Sequence, residues 1–292
     1  MVIIHYRAGQ LANRLFHFSH FIGNSIEYNY KLIYPYFDDY KEFFDSTENN
    51  TFPTKNISIQ FTKIALFNTI IRKVIIRAQQ KYTKSPFLNK VHFHSIKEYD
   101  TTETNFELGS NDFIKSAKST ILFVEGWLYR DKENLLKHRD TIKKIFTPKA
   151  PYLLEIETTL KRCSEKGDCI IGVHIRRGDY QTFNNGLWYY SDQVYTEKMK
   201  DLEIQLAKKH KRCVFYICSN EEIDKSHFQD FNVVIESNHF IVDLYMLAHC
   251  NYIIGPPSTY SAWASFYGNV PLLHIMTPES EIHMDNFSIT TI

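Results

Sequence analysis

Hydrophobic positions along this chain fall into short continuous runs separated by stretches with helical spacing. The most informative run is Ile170-Ile171-Gly172-Val173-His174-Ile175-Arg176-Arg177-Gly178-Asp179-Tyr180. Its first half is almost wholly apolar, the pattern of a strand covered on both faces of a parallel sheet. Charge then accumulates where the strand ends. Similar runs recur at Met1-Val2-Ile3-Ile4-His5-Tyr6, Ile121-Leu122-Phe123-Val124, Val214-Phe215-Tyr216-Ile217-Cys218, Val233-Val234-Ile235, Tyr252-Ile253-Ile254 and Leu272-Leu273-His274-Ile275. Between them, Leu11, Leu15, Phe18 and Ile22 predict a helix after a turn at Gly9, and Leu135, Leu136, Ile142, Ile145 and Phe146 predict one helix more. Further helices are expected over 153–163, over 243–248, and through Tyr195, Met199, Leu202 and Leu206, the last capped by Ser191 and Asp192. Strands alternating with helices predict a doubly wound parallel sheet, so the carboxyl-terminal half reads as Rossmann-like.

A chain of 292 residues is long for a single core and suggests two domains. The break falls at Thr147-Pro148-Lys149-Ala150-Pro151, giving 1–148 and 149–292. An apolar content of 43% with 15% aromatic residues excludes wholesale disorder, and a net charge of +1 argues against nucleic acid as a partner. Five cysteines make an odd count without paired Cys-x-x-Cys motifs, so zinc is not indicated. Cys163 and Cys169 flank a short loop, where reduced thiols are expected. With no signal-like or membrane-spanning segment, the sequence reads as a soluble cytoplasmic protein. Segment 55–97 carries nine Lys or Arg and no acid. Its helical stretch over 64–80 suits peripheral contact with an anionic membrane, approach to an acidic acceptor, or an ordinary helix with a solvated charged side.

Candidate chemistry concentrates at strand ends. Ligands of open α/β sheets collect beyond the carboxyl ends of the strands, where the guanidinium groups of Arg176 and Arg177 suit a phosphate or pyrophosphate. A solvated strand end making ion pairs is the plain alternative. The Arg177-Gly178-Asp179 tripeptide follows a buried strand directly, which disfavours an adhesion-ligand role. Ser258 and Thr259 stand where a strand enters a helix, suited either to receive an anion or simply to cap the helix. The turn containing Gly9 and Asn13 lacks both the Gly-x-Gly-x-x-Gly and the Walker patterns, so neither a dehydrogenase nor a P-loop enzyme is indicated. Tyrosines and phenylalanines over 28–44 surround Asp38 and Asp39, a mixture that suits a sugar acceptor or a packed core.

The run His174-Ile175-Arg176-Arg177-Gly178-Asp179-Tyr180 resembles the His-x-Arg-Arg-Gly-Asp-Tyr signature of the α-1,2-fucosyltransferases. Gly9-Gln10-Leu11-Ala12-Asn13-Arg14 is similar to their Gly-Gly-Leu-Gly-Asn-Gln segment, and Glu125-Gly126-Trp127-Leu128 through Phe146 to their Gly-Tyr/Phe-Trp-Gln segment with its helix. Asp243-Leu244-Tyr245-Met246 through Trp263 resembles their Asp-x-x-x-Met/Leu and Ser-Ser/Thr-x-Ser-x-Trp block. Ala12, Arg14 and the pair Pro256-Pro257 depart from the pattern.

The resemblance implies an α/β glycosyltransferase of GT-B type, with two Rossmann-like domains facing across a cleft. The amino-terminal domain would serve the acceptor and the carboxyl-terminal domain would hold the nucleotide sugar. It implies transfer of fucose from GDP-fucose to a hydroxyl of a glycan acceptor, with inversion and without a metal or other cofactor. Arg176 would meet the β-phosphate, His174 and Asp243 the guanine or ribose, Ser258 and Thr259 phosphate oxygens, and Asn13 the donor from the other domain. No Asp-x-Asp triplet occurs, which fits the metal-free expectation. Base candidates are His5, Asp38, Asp39 and Asp179. Arg177 either touches the ligand or anchors its loop through Asp179, and a structural role is the one expected for both. The alternatives are another GDP-sugar or UDP-sugar on the same scaffold, and a non-catalytic glycan- or nucleotide-binding protein.

Overall fold

The computed structural model describes residues 1–62, 68, 70–71, 91–95 and 105–290, and the chain divides into two compact units, Met1–Lys149 and Ala150–Ile292. Most of the basic segment, including the helix expected over 64–80 and any membrane contact through it, lies outside the described residues. No described helix is long and apolar enough to cross a membrane.

The amino-terminal unit contains β1 (Val2–Ile4), β2 (Leu32–Ile33), β3 (Ile57–Ser58), β4 (Val91–Ser95), β5 (Phe106–Glu107), β6 (Ile121–Glu125) and β7 (Tyr129–Arg130). Five of them form a parallel sheet in the order β3-β2-β1-β6-β4, and β5 pairs with β7. Its helices are α1 (Leu11–Tyr28), α2 (Asp45–Glu48), α3 (Asn111–Ser119), α4 (Lys132–Lys137) and α5 (Arg139–Ile145). α1 is buried around nearly its whole circumference up to Ser25, the expected Leu11, Leu15, Phe18 and Ile22 included, and ends where Asn29 turns left-handed (φ 55°) and its N–H bonds back to Ser25. Asp131 caps α4 by accepting from the Asn134 N–H at 3.0 Å. A Cβ on Gly23 would meet the Asn134 carbonyl at 2.6 Å, so α1 and α4 pack in close approach there.

One expectation changes in this unit, and one open alternative is decided. The single helix expected over 135–146 is two, parted at His138 (ψ 16°), whose ring meets Glu27 of α1 at 3.0 Å; Leu135 and Ile142 are buried and Leu136 is exposed. The aromatic residues over 28–44 are largely interior: Tyr34, Phe37 and Phe44 are fully buried, and Phe37 lies 5.5 Å from both Phe18 and Phe146. Their area is removed from water in the core, at roughly 1.5–3 kcal/mol per large apolar side chain, and is not open to a sugar.

The carboxyl-terminal unit runs α6 (Ala150–Lys166), β8 (Cys169–Ile175), α7 (Asp192–Ala207), β9 (Cys213–Ser219), β10 (Val233–Ile235), α8 (Phe240–Leu247), β11 (Tyr252–Gly255), α9 (Thr259–Gly268) and β12 (Leu272–His274). The five strands are parallel in the order β10-β9-β8-β11-β12. β8 is therefore central, hydrogen-bonded on both edges and buried along its length, as its continuous apolar run requires. Ile171, Val173 and Ile175 pack with Tyr195, Met199 and Leu202 of α7 in one cluster, while Gly172 on the other face admits Leu247 and Cys250. The five cysteines are buried and none is in a disulfide.

Candidate active site

The site grows from the order of the second sheet. From β8 the chain passes through α7 to β9 on one side, while β11, on the other side, leads through α9 to β12. The loops leaving the carboxyl ends of β8 and β11 therefore diverge, the switch point at which open α/β sheets bind ligands. The β8 loop begins with Arg176 and the β11 loop ends with Ser258. Gly255 makes their approach possible, because a Cβ there would stand 2.7 Å from the His174 carbonyl oxygen.

The two arginines separate at once. Arg176 Nη2 meets both carboxylate oxygens of Asp179, at 2.7 and 2.9 Å, and its guanidinium lies 5.3 Å from the centre of the Tyr180 ring. Tyr180 Oη donates to the Pro257 carbonyl at 2.5 Å, so this ring ties the β8 loop to the β11 loop. Gly178 turns left-handed (φ 61°) between them. Arg177 points elsewhere: its Nη2 pairs with Asp192, which also holds His227 Nδ1 at 2.7 Å. The expected anchoring of Arg177 through Asp179 is thus corrected: Asp179 serves Arg176 and Asp192 serves Arg177. A strand end gives successive side chains opposite directions, so a fork of two adjacent guanidinium groups does not form. Asp192 is drawn into this ion pair at the first turn of α7, and Ser191 occupies the N-cap position without a side-chain capping bond. Asn220 clamps the loop backbone, accepting from the Arg177 N–H at 2.8 Å and donating to its carbonyl at 3.1 Å.

His174 is buried, its ring 5.0 Å from that of Tyr260, and Nδ1 has no hydrogen-bond partner among the described residues. Burial, reinforced by the Arg176 charge and by His274, pushes its pKa down to about 3, so the ring is neutral. Asp243 on α8 is also buried, and its Oδ1 accepts from Tyr216 Oη at 2.5 Å and from Asn238 Nδ2 at 3.0 Å. Burial raises its carboxyl to about 6, against the lowering effect of those two hydrogen bonds. Ser258 is the N-cap of α9: its Oγ accepts from the Tyr260 N–H at 3.2 Å, and Thr259 opens the helix. The first-turn N–H groups of α9 lack partners within the helix, which favours a negative group there.

The remaining candidates belong to the amino-terminal unit. Asn13 lies in the first turn of α1, folded so closely over Gly9 (φ 35°) that a Cβ at position 9 would strike its side-chain amide. Arg14, which departs from the family pattern, is buried. It donates to the Gly9 and Tyr36 carbonyls and pairs with Asp39 at 2.6 Å. Burial pushes the Asp39 carboxyl up, but Arg14 and Arg7 outweigh it and hold the group below the ordinary value. Asp38 pairs with Lys41 at 2.7 Å, and His5 stands at the end of β1 with its ring 5.6 Å from that of Tyr36. Three of the four base candidates, Asp38, Asp39 and Asp179, are therefore carboxylates already in ion pairs. Sequence reasoning gave no role to Tyr180, Tyr216, Asn220, Asn238 or Tyr260. Tyr180 was legible as the last residue of the motif, whereas the others lie on neighbouring elements and carry no local signal.

A parallel sheet with an arginine and a helix N-terminus at its switch point, preceded by another parallel α/β unit, is the arrangement of a nucleotide-sugar glycosyltransferase of GT-B type. The family model "Glycosyl transferase family 11" matches residues 21–289. This chain belongs to that family and is a fucosyltransferase-type glycosyltransferase. It is 24% identical to the alpha-1,2-colitosyltransferase of Escherichia coli over 93% of this chain and 89% of that protein. It is also 31% identical to galactoside alpha-(1,2)-fucosyltransferase 1 of Rattus norvegicus, over 38% of this chain and 32% of that protein. Among solved structures, a point mutant of the Arabidopsis thaliana fucosyltransferase FUT1 in complex with GDP aligns with a TM-score of 0.56 at 9% identity, covering 98% of this chain and 73% of that one. NodZ alpha-1,6-fucosyltransferase soaked with GDP-fucose gives 0.56 at 14% identity, covering 96% and 97%. These likenesses establish the shared GT-B fold.

Proposed function

We propose that this glycosyltransferase takes fucose from GDP-fucose and transfers it, with inversion and without a metal, to a hydroxyl of a glycan acceptor. The observation that carries this reading is the meeting of Arg176, Tyr180 and the Ser258–Thr259 helix start at the ends of two adjacent strands. Asp179 contacts the guanidinium through Nη2, which leaves the other N–H donors of the planar fork for phosphate oxygens. As the bond from the anomeric carbon to the β-phosphate oxygen breaks, negative charge grows on the diphosphate and positive charge on the sugar. Arg176 stabilises the first directly, the Ser258 hydroxyl and the α9 N–H groups add donors, and no reorganisation is needed at the moment of reaction. Buried Asp243, with Oδ1 taken by Tyr216 and Asn238, offers Oδ2 to donors of the nucleoside, and neutral His174 offers an acceptor or a donor.

Thermal-shift and calorimetric titration with GDP, UDP and their sugars tests the donor. GDP and GDP-fucose are expected to stabilise the chain and UDP not to, and a preference for UDP overturns the assignment. Transfer is expected to survive EDTA, and a strict requirement for an added divalent ion counts against the metal-free step. Colitose is the second candidate for the transferred sugar, because the colitosyltransferase matches this chain along nearly its whole length. Competition between the GDP-linked forms of the two sugars separates them.

A further inference from the structure

The loop that leaves β8 carries more than Arg176. Tyr180 stacks on Phe183 at 5.4 Å and 27°, and Phe183 lies 6.0 Å from Trp188 at 35°, so three rings continue outward from the Arg176 guanidinium. The inner end is buried and pinned by the Tyr180 bond to Pro257, while the outer end is open: Phe183 is 52% exposed, Leu187 53% and Tyr189 40%. Asn184 and Asn185 both sit in the left-handed region (φ 48° and 58°) and Gly186 follows at 74°. Asparagine tolerates this conformation because its short amide bonds locally, which suits both residues to the turn. The outcome is a tight turn that holds flat apolar faces in water beside exposed side-chain amides.

We infer that this loop, whose Phe183, Leu187 and Tyr189 are open to water, binds the apolar face of a pyranose ring of the acceptor glycan. The inference rests on the reading of Arg176 as the diphosphate ligand. The acceptor hydroxyl must reach the anomeric carbon, which is bonded through oxygen to the phosphate that Arg176 holds, so acceptor rings pass close to this loop. A pyranose presents C–H groups to an aromatic face and hydroxyls to amides, and this loop carries both kinds of side chain exposed, in Phe183 and Tyr189 and in Asn184 and Asn185. The acceptor is thus met from the nucleotide-binding unit. The aromatic stretch over 28–44 that first suggested a sugar site is interior.

The test uses the full chain with GDP-fucose and a panel of lactose, N-acetyllactosamine and methyl β-glucopyranoside as acceptor probes, with saturation-transfer NMR reporting contact to each sugar. Phe183→Ala and Leu187→Ala are expected to raise the acceptor KM about tenfold, equivalent to about 1.4 kcal/mol, while GDP affinity stays within about twofold; Phe183→Tyr keeps the wild-type KM. An unchanged acceptor KM in both alanine variants, with GDP binding intact, overturns the inference alone, as does a change confined to self-association in sedimentation. A parallel fall in GDP affinity shows that the loop serves the donor and overturns it too. A wild-type chain that engages no member of the panel also overturns it. Failure of the wild-type chain to bind GDP removes the parent reading, and this one with it.

Discussion

Arg176 and Arg177 carry the same charge on adjacent residues and meet opposite surroundings. Arg176 lies among Asp179, Tyr180 and a helix start, and Arg177 is locked to Asp192 behind the loop. Arg176→Ala is expected to lower transfer by about 10²–10³-fold, as the loss of one preorganised donor to a developing anion does, and to weaken GDP binding in calorimetry. Arg177→Ala instead leaves Asp192 half-paired and should cost roughly 1–3 kcal/mol in chemical denaturation, with a much smaller effect on GDP affinity. Two buried groups, His174 and Asp243, predict a pH signature of opposing signs. Asp243 is raised to about 6, so its contribution to stability is full below the ordinary value of 3.8 and is lost as pH rises through 6. His174 is depressed to about 3, so its contribution is full above 6.5 and is lost as pH falls toward 3. Between 3.8 and 6 the two offset each other. Asp243→Asn should therefore stabilise the ligand-free chain near neutral pH by on the order of 1–3 kcal/mol, steepen the loss of stability below pH about 6, and weaken GDP binding. Melting curves across pH, with and without GDP, check all three.

Among the elements, close packing of β8, β11, α8 and α9 depends on missing side chains. A Cβ on Gly255 meets the His174 carbonyl, and one on Gly268 strikes the backbone of Ala248, whereas one on Gly172 meets the flexible end of Leu247 first. Backbone of a buried strand or helix cannot give way as a side chain can, so Gly255→Ala and Gly268→Ala are expected to destabilise by roughly 2–4 kcal/mol and Gly172→Ala by less. Urea denaturation orders the three. Gly255→Ala should also weaken GDP binding, because it drives apart the two strand ends that carry Arg176 and Ser258. The sequence showed these elements well: each continuous apolar run became a strand of a parallel sheet. A boundary failed at His138, where a run of helical spacing divides in two beside a contact to Glu27, more than a hundred residues earlier in the chain.

At the scale of the whole molecule, the chain comprises two units, each with a parallel sheet and its own apolar interior. The proposed nucleotide ligands lie in the second. Hydrogen exchange with and without GDP is expected to show added protection over residues 172–180, 238–243 and 255–261, with β1, β2 and β3 changing little. Protection appearing first in those amino-terminal strands would assign the nucleotide to the wrong unit.

Read alone, the sequence determined the alternation of buried strands and amphipathic helices, the helix break near Pro148, and the motif that marks the family, because each of these is written in local order. It placed Arg176, Ser258 and Asp243 among the candidates for the same reason. Only the tertiary structure decided which partner each charge takes: Asp179 with Arg176, Asp192 with Arg177, Tyr216 and Asn238 with Asp243. It also decided that Tyr34, Phe37 and Phe44 are core while Phe183 and Tyr189 face solvent. Ion pairing and burial depend on distances between residues far apart in the chain, and the periodicity of a segment carries no information about what the fold will bring against it.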